Sequence, residues 1–256
     1  MTVTGRHARP AALAGRLRLR DTPMILMYHA VAEVAEDPNL LCVAPRRFAE
    51  QMAWLERHGL RGVSVGTLTG AMRAGTSRGL VGITFDDGYT SVLESALPEL
   101  ARRGFTASVY VISGRIGETN EWDAGPSWPL LSASQVRDLA AAGLEIGSHG
   151  ATHIRLAALS AAALAGEVAG SRAALTGITG TPIRGFAYPY GSMDAAARQA
   201  VRAAGYDYAC AVETATPDLS LAALPRIYVG QRDNPGRLAA KRLLYRGYIA
   251  VKGRRG

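Results

Sequence analysis

Leu80-Val81-Gly82-Ile83-Thr84-Phe85-Asp86-Asp87-Gly88 decides how this chain is read. An apolar run of strand length ends abruptly on two adjacent carboxylates. Further along, Ser148-His149-Gly150-Ala151-Thr152-His153 carries two imidazoles four residues apart. One carboxylate with two imidazoles is enough to hold a catalytic divalent metal while leaving a coordination position open. The other carboxylate is then available as a base toward water, and the whole is the equipment of a metal-assisted hydrolase. Taken alone, Asp86-Asp87-Gly88 fits a turn or a helix N-cap at least as well, and surface helices carry His-x-x-x-His pairs by chance. The combination favours a site. Carboxylates side by side repel, so their environments must differ, one neutralised by a cation and the other kept as a proton acceptor. A zincin is excluded, because that pattern needs Glu directly after the first histidine and Gly150 stands there.

Outward from that strand, short apolar runs alternate with longer amphipathic ones. Strands are expected at 24–28, 80–85, 107–112, 144–147, 185–188, 208–212 and 226–229, and helices at 45–58, 90–103, 134–142, 161–176 and 194–204. In the first helix Phe48, Met52 and Leu55 share one face and Gly59 follows as a stop. Pro98 should break the second helix into two pieces. For the last, Ser192 is the expected cap, with Asp194 in the first turn and Gly205 at the end. Strands alternating with helices imply parallel βαβ units, and about seven of them suit a closed or nearly closed barrel, a distorted (β/α)7-type α/β fold. Sites in such barrels form where strands reach their C-termini. Four expected strand ends carry polar or special groups there: His29, the Asp86-Asp87 pair, His149, and Pro189-Tyr190. The longest irregular stretch, 113–131, holds Trp122 and Trp128.

The remaining composition narrows the class. No stretch is apolar enough to span a membrane as a helix. Residues 1–21 form a basic extension with scattered arginines, and 10–15 is too short and weak for a signal peptide core, so the chain reads as cytoplasmic, or as one whose leader was removed. Residues 22–240 read as one domain and 241–256 as a basic tail. Cys42 and Cys210 form no ribbon or disulfide pattern and are expected as buried free thiols. The net charge of +8 comes mostly from arginine spread along the chain. The tail lacks the interleaved aromatic platform of a single-strand binder, so no nucleic-acid partner is expected; Tyr245 and Tyr248 can equally pack on the domain.

Thr84-Phe85-Asp86-Asp87-Gly88, His149-x-x-x-His153 and Phe186-Ala187-Tyr188-Pro189-Tyr190-Gly191 resemble, in order, three motifs of the polysaccharide deacetylase (NodB-homology) family, the fourth carbohydrate esterase family. The resemblance extends over roughly 24–229. It implies a distorted β/α barrel that hydrolyses the N-acetyl amide of an N-acetylglucosamine-containing glycan or a related amino-sugar conjugate. It implies Asp86 as general base and Asp87, His149 and His153 as ligands of a divalent metal. That ligand set suits zinc first, with cobalt, nickel, manganese or iron as alternatives. The backbone N–H of Tyr190 is implied as a donor to the oxyanion.

Two departures from the family pattern stand out. The third motif often carries Arg, which tethers the base, where this chain has Ala187; Arg226 is a candidate substitute from another strand, a surface arginine being the equal alternative. No histidine follows His153, so the usual C-terminal general acid is absent. Leu26-Met27-Tyr28-His29 instead resembles a branch with circularly permuted motifs that includes biofilm poly-N-acetylglucosamine deacetylases. In a closed barrel the first and last strands are neighbours, so His29 is expected as the general acid, against the alternative of a buried structural histidine. Trp122, Trp128, Tyr188 and Tyr190 are candidate walls for sugar rings, or packing residues. Two other functions compete: hydrolysis of a small non-sugar amide or cyclic imide, and an inactive carbohydrate-binding protein, which the presence of Asp86, Asp87, His149 and His153 disfavours.

Overall fold

The computed structural model describes residues 22–212 and 220–252; the expected basic extension at 1–21 lies outside them. Ten strands run in chain order: β1 Ile25–Tyr28, β2 Ala30–Val31, β3 Cys42–Val43, β4 Arg61–Val63, β5 Leu80–Phe85, β6 Ser108–Val111, β7 Glu145–Ser148, β8 Gly185–Ala187, β9 Tyr208–Val212 and β10 Leu224–Tyr228. All pairings between them are parallel. The order β1-β10-β9-β8-β7-β6-β5 closes when β5 returns to β1, giving a seven-stranded barrel. β4 lies along the first half of β5, with Arg61, Gly62 and Val63 opposite Leu80, Val81 and Gly82. β2 and β3 form a separate ribbon.

Closure is the feature that positions the site. β1 pairs with β10 through Leu26↔Ile227 and Met27↔Tyr228, and with β5 through Tyr28↔Phe85. The backbone N–H of Asp86 donates to the Tyr28 carbonyl at 3.0 Å. His29 and Asp86 therefore leave adjacent strands side by side, although their sequence positions are far apart. β5 is covered on both faces, with Val81 through Phe85 all buried, as a parallel strand requires.

Among the described residues eight α-helices surround the barrel: α1 Pro45–Arg57, α2 Val65–Ala74, α3 Leu97–Arg102, α4 Ala133–Ala141, α5 Ala161–Leu164, α6 Ser171–Thr179, α7 Ala195–Ala203 and α8 Pro235–Lys252. Phe48, Met52 and Leu55 of α1 are fully buried, as their spacing predicts. α3 starts with Pro98 in its first turn and is preceded by a π turn at Val92–Ala96, so the proline does divide the expected second helix. A second π segment, Ala165–Gly170, joins α5 to α6. α7 departs from expectation at its start. Asp194, not Ser192, caps it: the extended Asp194 accepts the Ala197 N–H at 2.8 Å, while the Ser192 hydroxyl accepts from Ala157. α8 runs through the expected boundary at 240. Tyr245 is buried within it and donates to the Pro23 and Pro225 carbonyls. Both cysteines are buried free thiols. No described helix is long and apolar enough to cross a membrane.

Candidate active site

Asp86 leaves β5 into a dry position and meets Arg226 of β10. The guanidinium donates to both carboxylate oxygens, Nη1 to Oδ1 at 2.6 Å and Nη2 to Oδ2 at 2.7 Å. Arg226 is fully buried, so the surface alternative is set aside. Its Nη1 also donates to Thr84 Oγ1 at 3.2 Å and its Nε to the Ala211 carbonyl at 3.3 Å. A planar five-donor fork suits this two-pronged contact, which a lysine would not reproduce. Burial opposes ionisation of Asp86, yet Arg226 overrides it and holds the carboxyl well below the usual range. Asp86 is thus a fixed anion.

Asp87 has the opposite environment. Burial raises its carboxyl well above the usual range, and the charge of Asp86 raises it further. Its backbone is left-handed, φ 70°, which an aspartate accepts more readily than most residues. That turn directs Oδ1 to 3.4 Å from His149 Nε2 and 3.3 Å from His153 Nε2. His149 follows β7, and its Nδ1 lies 2.8 Å from the Ala187 carbonyl. A carbonyl only accepts, so Nδ1 carries the proton and Nε2 presents its lone pair. His153 is also left-handed, φ 62°. Burial lowers both imidazoles, His153 to about 2, which favours the neutral form a metal ligand needs.

These residues fit a divalent metal. One potential ligand atom from each of Asp87, His149 and His153 falls within 4.8 Å of the others. Asp87 Oδ1 and His153 Nδ1 are buried with no hydrogen-bond partner among the described residues. Such orphaned buried atoms are costly, on the order of 1–3 kcal/mol each. A carboxylate and two neutral imidazoles around one point are a borderline-soft N/O donor set, suited to zinc and its first-row neighbours.

His29, Tyr188 and Tyr190 line the same cleft, of about 100 Å³, as Asp86, Asp87, His149 and His153. His29 faces the cluster. Its Nδ1 is buried and unpartnered among the described residues, and burial lowers the imidazole to about 4. Tyr188 is fully buried, its hydroxyl donating to the Ala222 carbonyl, and so forms the floor and not a stacking face. Tyr190 sits on a left-handed turn, φ 55°, at the rim and is 37% exposed. Its ring centroid lies 4.6 Å from that of His153, and the Arg155 guanidinium sits over the ring, 4.5 Å from its centroid. Trp122 packs at 4.7 Å on His153, whereas Trp128 meets Tyr89 edge-on at 5.6 Å. Where the family motif often has Arg, Ala187 contributes its carbonyl to His149, and Arg226 reaches Asp86 from β10 instead.

Sequence reasoning missed two acids. Asp123 lines the cleft and accepts the Tyr190 hydroxyl at 3.2 Å. Its only sequence signal is a place beside Trp122 in the irregular stretch. Glu167 is buried under the loop that joins His149 to His153. On an amphipathic helix, nothing in the sequence distinguishes it from a solvated acid.

The polysaccharide deacetylase family profile matches residues 73–209. YxkH of Bacillus subtilis (strain 168), which carries the polysaccharide deacetylase name, is 28% identical over 209 residues, spanning 80% of this chain and 70% of that protein. Among solved structures, IcaB from Ammonifex degensii superposes with TM-score 0.68 at 26% identity, covering 86% of this chain and 96% of that one. The Streptococcus pyogenes deacetylase PplD, solved with acetate, has TM-score 0.73 at 23% identity, covering 86% and 97%, a likeness of fold.

Proposed function

Because the chain belongs to the polysaccharide deacetylase family, we propose that it is a metal-dependent hydrolase removing N-acetyl groups from an N-acetylglucosamine-containing polysaccharide or a related amino-sugar conjugate. One observation carries this reading: a fixed anion, an unpartnered imidazole and a three-residue metal cluster share one cleft at the strand C-termini.

Asp87, His149 and His153 would hold the metal, which supplies Lewis-acid polarisation of the acetyl carbonyl. The protein's own residues do the rest. Asp86 takes a proton from the attacking water as oxygen bonds to the carbonyl carbon. Arg226 fixes both carboxylate oxygens of Asp86, so the base is aimed without rearrangement. The Tyr190 backbone N–H serves the oxyanion of the tetrahedral carbon. The proton Asp86 collects passes to His29, whose imidazole is neutral at rest, and His29 gives it to the departing amine as the C–N bond breaks. Acetate and a free amine leave. Tyr190 and Trp122, both against His153, provide apolar faces for a sugar ring.

The test is release of acetate from acetylated glucosamine oligosaccharides by metal-supplemented protein, in parallel with small amides and cyclic imides. Turnover confined to the small amides, or absent on every substrate with metal bound, would replace this reading by one of its two competitors.

His29→Ala should retain metal and lose roughly 10²-fold of amide turnover, the lower end expected for a general acid. An activated acetyl ester, whose leaving group needs no proton, should be cleaved by the variant at close to the wild-type rate. Equal loss on both substrates would remove His29 from the acid role.

A further inference from the structure

The loop that carries the two histidines is gripped from both sides, and one buried acid supplies one of the grips. Between His149 and His153 the backbone turns through Gly150 at φ 81°, and His153 itself is left-handed at φ 62°. Short loops in such conformations persist only when their surroundings over-determine them. Here the N–H groups of Gly150, Ala151 and Thr152 and the carbonyls of Gly150 and Ala151 all have partners. The Ala151 and Thr152 N–H groups both donate to Glu167 Oε2, at 2.8 and 3.1 Å, and the Thr152 hydroxyl donates to Oε1 at 2.6 Å. On the opposite edge, the Ser113 N–H donates to the Gly150 carbonyl at 3.1 Å and the Gly114 N–H to the Ala151 carbonyl at 2.8 Å. The Gly150 N–H donates to Ser148 Oγ at 3.2 Å.

Successive N–H groups converging on one oxygen form an anion-binding concavity, and Glu167 is the anion built into it. Glu167 is 6% exposed and has no ion pair among the described residues, so these three donors are what compensates its burial. Tolerance around it is small. A Cβ on Gly150 would lie 3.0 Å from Glu167 Oε2, and one on Gly114 would lie 2.5 Å from the Ala151 carbonyl oxygen. Glu167 also sits in the π segment Ala165–Gly170, a local widening of the helix of the kind that often accompanies functional sites.

We propose that Glu167 is a positioning residue for the metal centre: it locks the Gly150–Thr152 backbone so that His149 and His153 present their nitrogens to one cation before it arrives. The proposal rests on the metal reading above but makes a separate claim, that the imidazole spacing is preset by an acid that touches neither ligand ring.

Co²⁺ binding tests it, read by visible absorbance and by calorimetry on the purified full chain. Glu167→Ala should weaken Co²⁺ binding by roughly 10–100-fold, the usual effect of removing an outer-shell partner, and should alter the absorbance of the Co²⁺ complex. Glu167→Gln keeps one carbonyl acceptor for the two N–H groups and should fall between wild type and Glu167→Ala. Thr152→Val removes only the hydroxyl donor and should also weaken binding, by less. Val168→Ala, a core truncation on the same segment, should lower the unfolding temperature without changing Co²⁺ affinity. Wild-type affinity and spectrum in Glu167→Ala would overturn the proposal. If that variant does not fold, wild-type affinity in both Glu167→Gln and Thr152→Val would overturn it equally. An equal loss in Val168→Ala would reduce Glu167 to general stability and overturn it too. Failure of the wild-type protein to bind Co²⁺ would instead sink the metal reading beneath it.

Discussion

Asp86→Asn should keep its metal and lose ~10²–10⁴-fold of deacetylase turnover, the range a general base supplies. The substitution preserves shape and removes the anion proposed to accept the water proton. Asp87, by contrast, is the carboxylate grouped with His149 and His153. The same change has a second consequence. Arg226 is fully buried and spends both terminal nitrogens on Asp86. Removing one member of a buried ion pair typically costs about 3–5 kcal/mol, because the remaining charge is left uncompensated. Asp86→Asn should therefore also unfold at a lower temperature, and its turnover must be measured well below that point. Elemental analysis, thermal unfolding and acetate release separate the effects. A variant that is destabilised and metal-loaded yet within tenfold of wild-type turnover would move the base to another group.

The barrel was legible because β5 announces itself: a continuous apolar run stopped by charge at the rim. The 80–85 and 208–212 boundaries match those observed. Closure was legible only through an argument about neighbours, since nothing local in Leu26-Met27-Tyr28-His29 says that β10 lies beside it. The β1–β10 and β1–β5 registers supply that relation. Elements with weak periodicity escaped. β4 has three residues, and α2 begins at Val65-Gly66 and owes its start to the Ser64 cap. α8 was obscured by its own charge, because a run of basic residues hides the buried Tyr245 that ties it to Pro23 and Pro225. In the candidate site, the metal-capable residue types at strand ends could be read from sequence. Residues that act through a fold-back could not. Asp123 reaches the cleft from a long loop, and Glu167 reaches the histidine loop from a helix. A single acid has no pattern until the chain brings its donors to it.

Metal binding itself gives the largest expected effect. Asp87→Asn and His153→Ala should each abolish metal-dependent stabilisation together with turnover, because each removes one of the three proposed ligands. The two variants should differ in the absence of metal. Asp87 is a buried carboxyl beside the fixed anion Asp86, and burial and that neighbour both oppose its ionisation. Replacing it with a neutral isostere relieves the repulsion and keeps a residue type that tolerates φ 70°. Metal-free Asp87→Asn should then be at least as stable as metal-free wild type, as expected where a functional site holds an unfavourable charge arrangement for its ligand. His153→Ala puts an alanine at φ 62° and removes the ring packed between Trp122 and Tyr190, so it should be less stable. Excess Zn²⁺ at about 100 times Kd should stabilise the wild-type protein by about 2.7 kcal/mol and neither variant. Thermal unfolding with and without Zn²⁺ reads the stabilities and the metal shift, and acetate release reads turnover. A wild-type-sized Zn²⁺ shift in either variant would show that its side chain is not a ligand, and a metal-free Asp87→Asn less stable than wild type would show that the Asp86–Asp87 repulsion is offset within the protein itself.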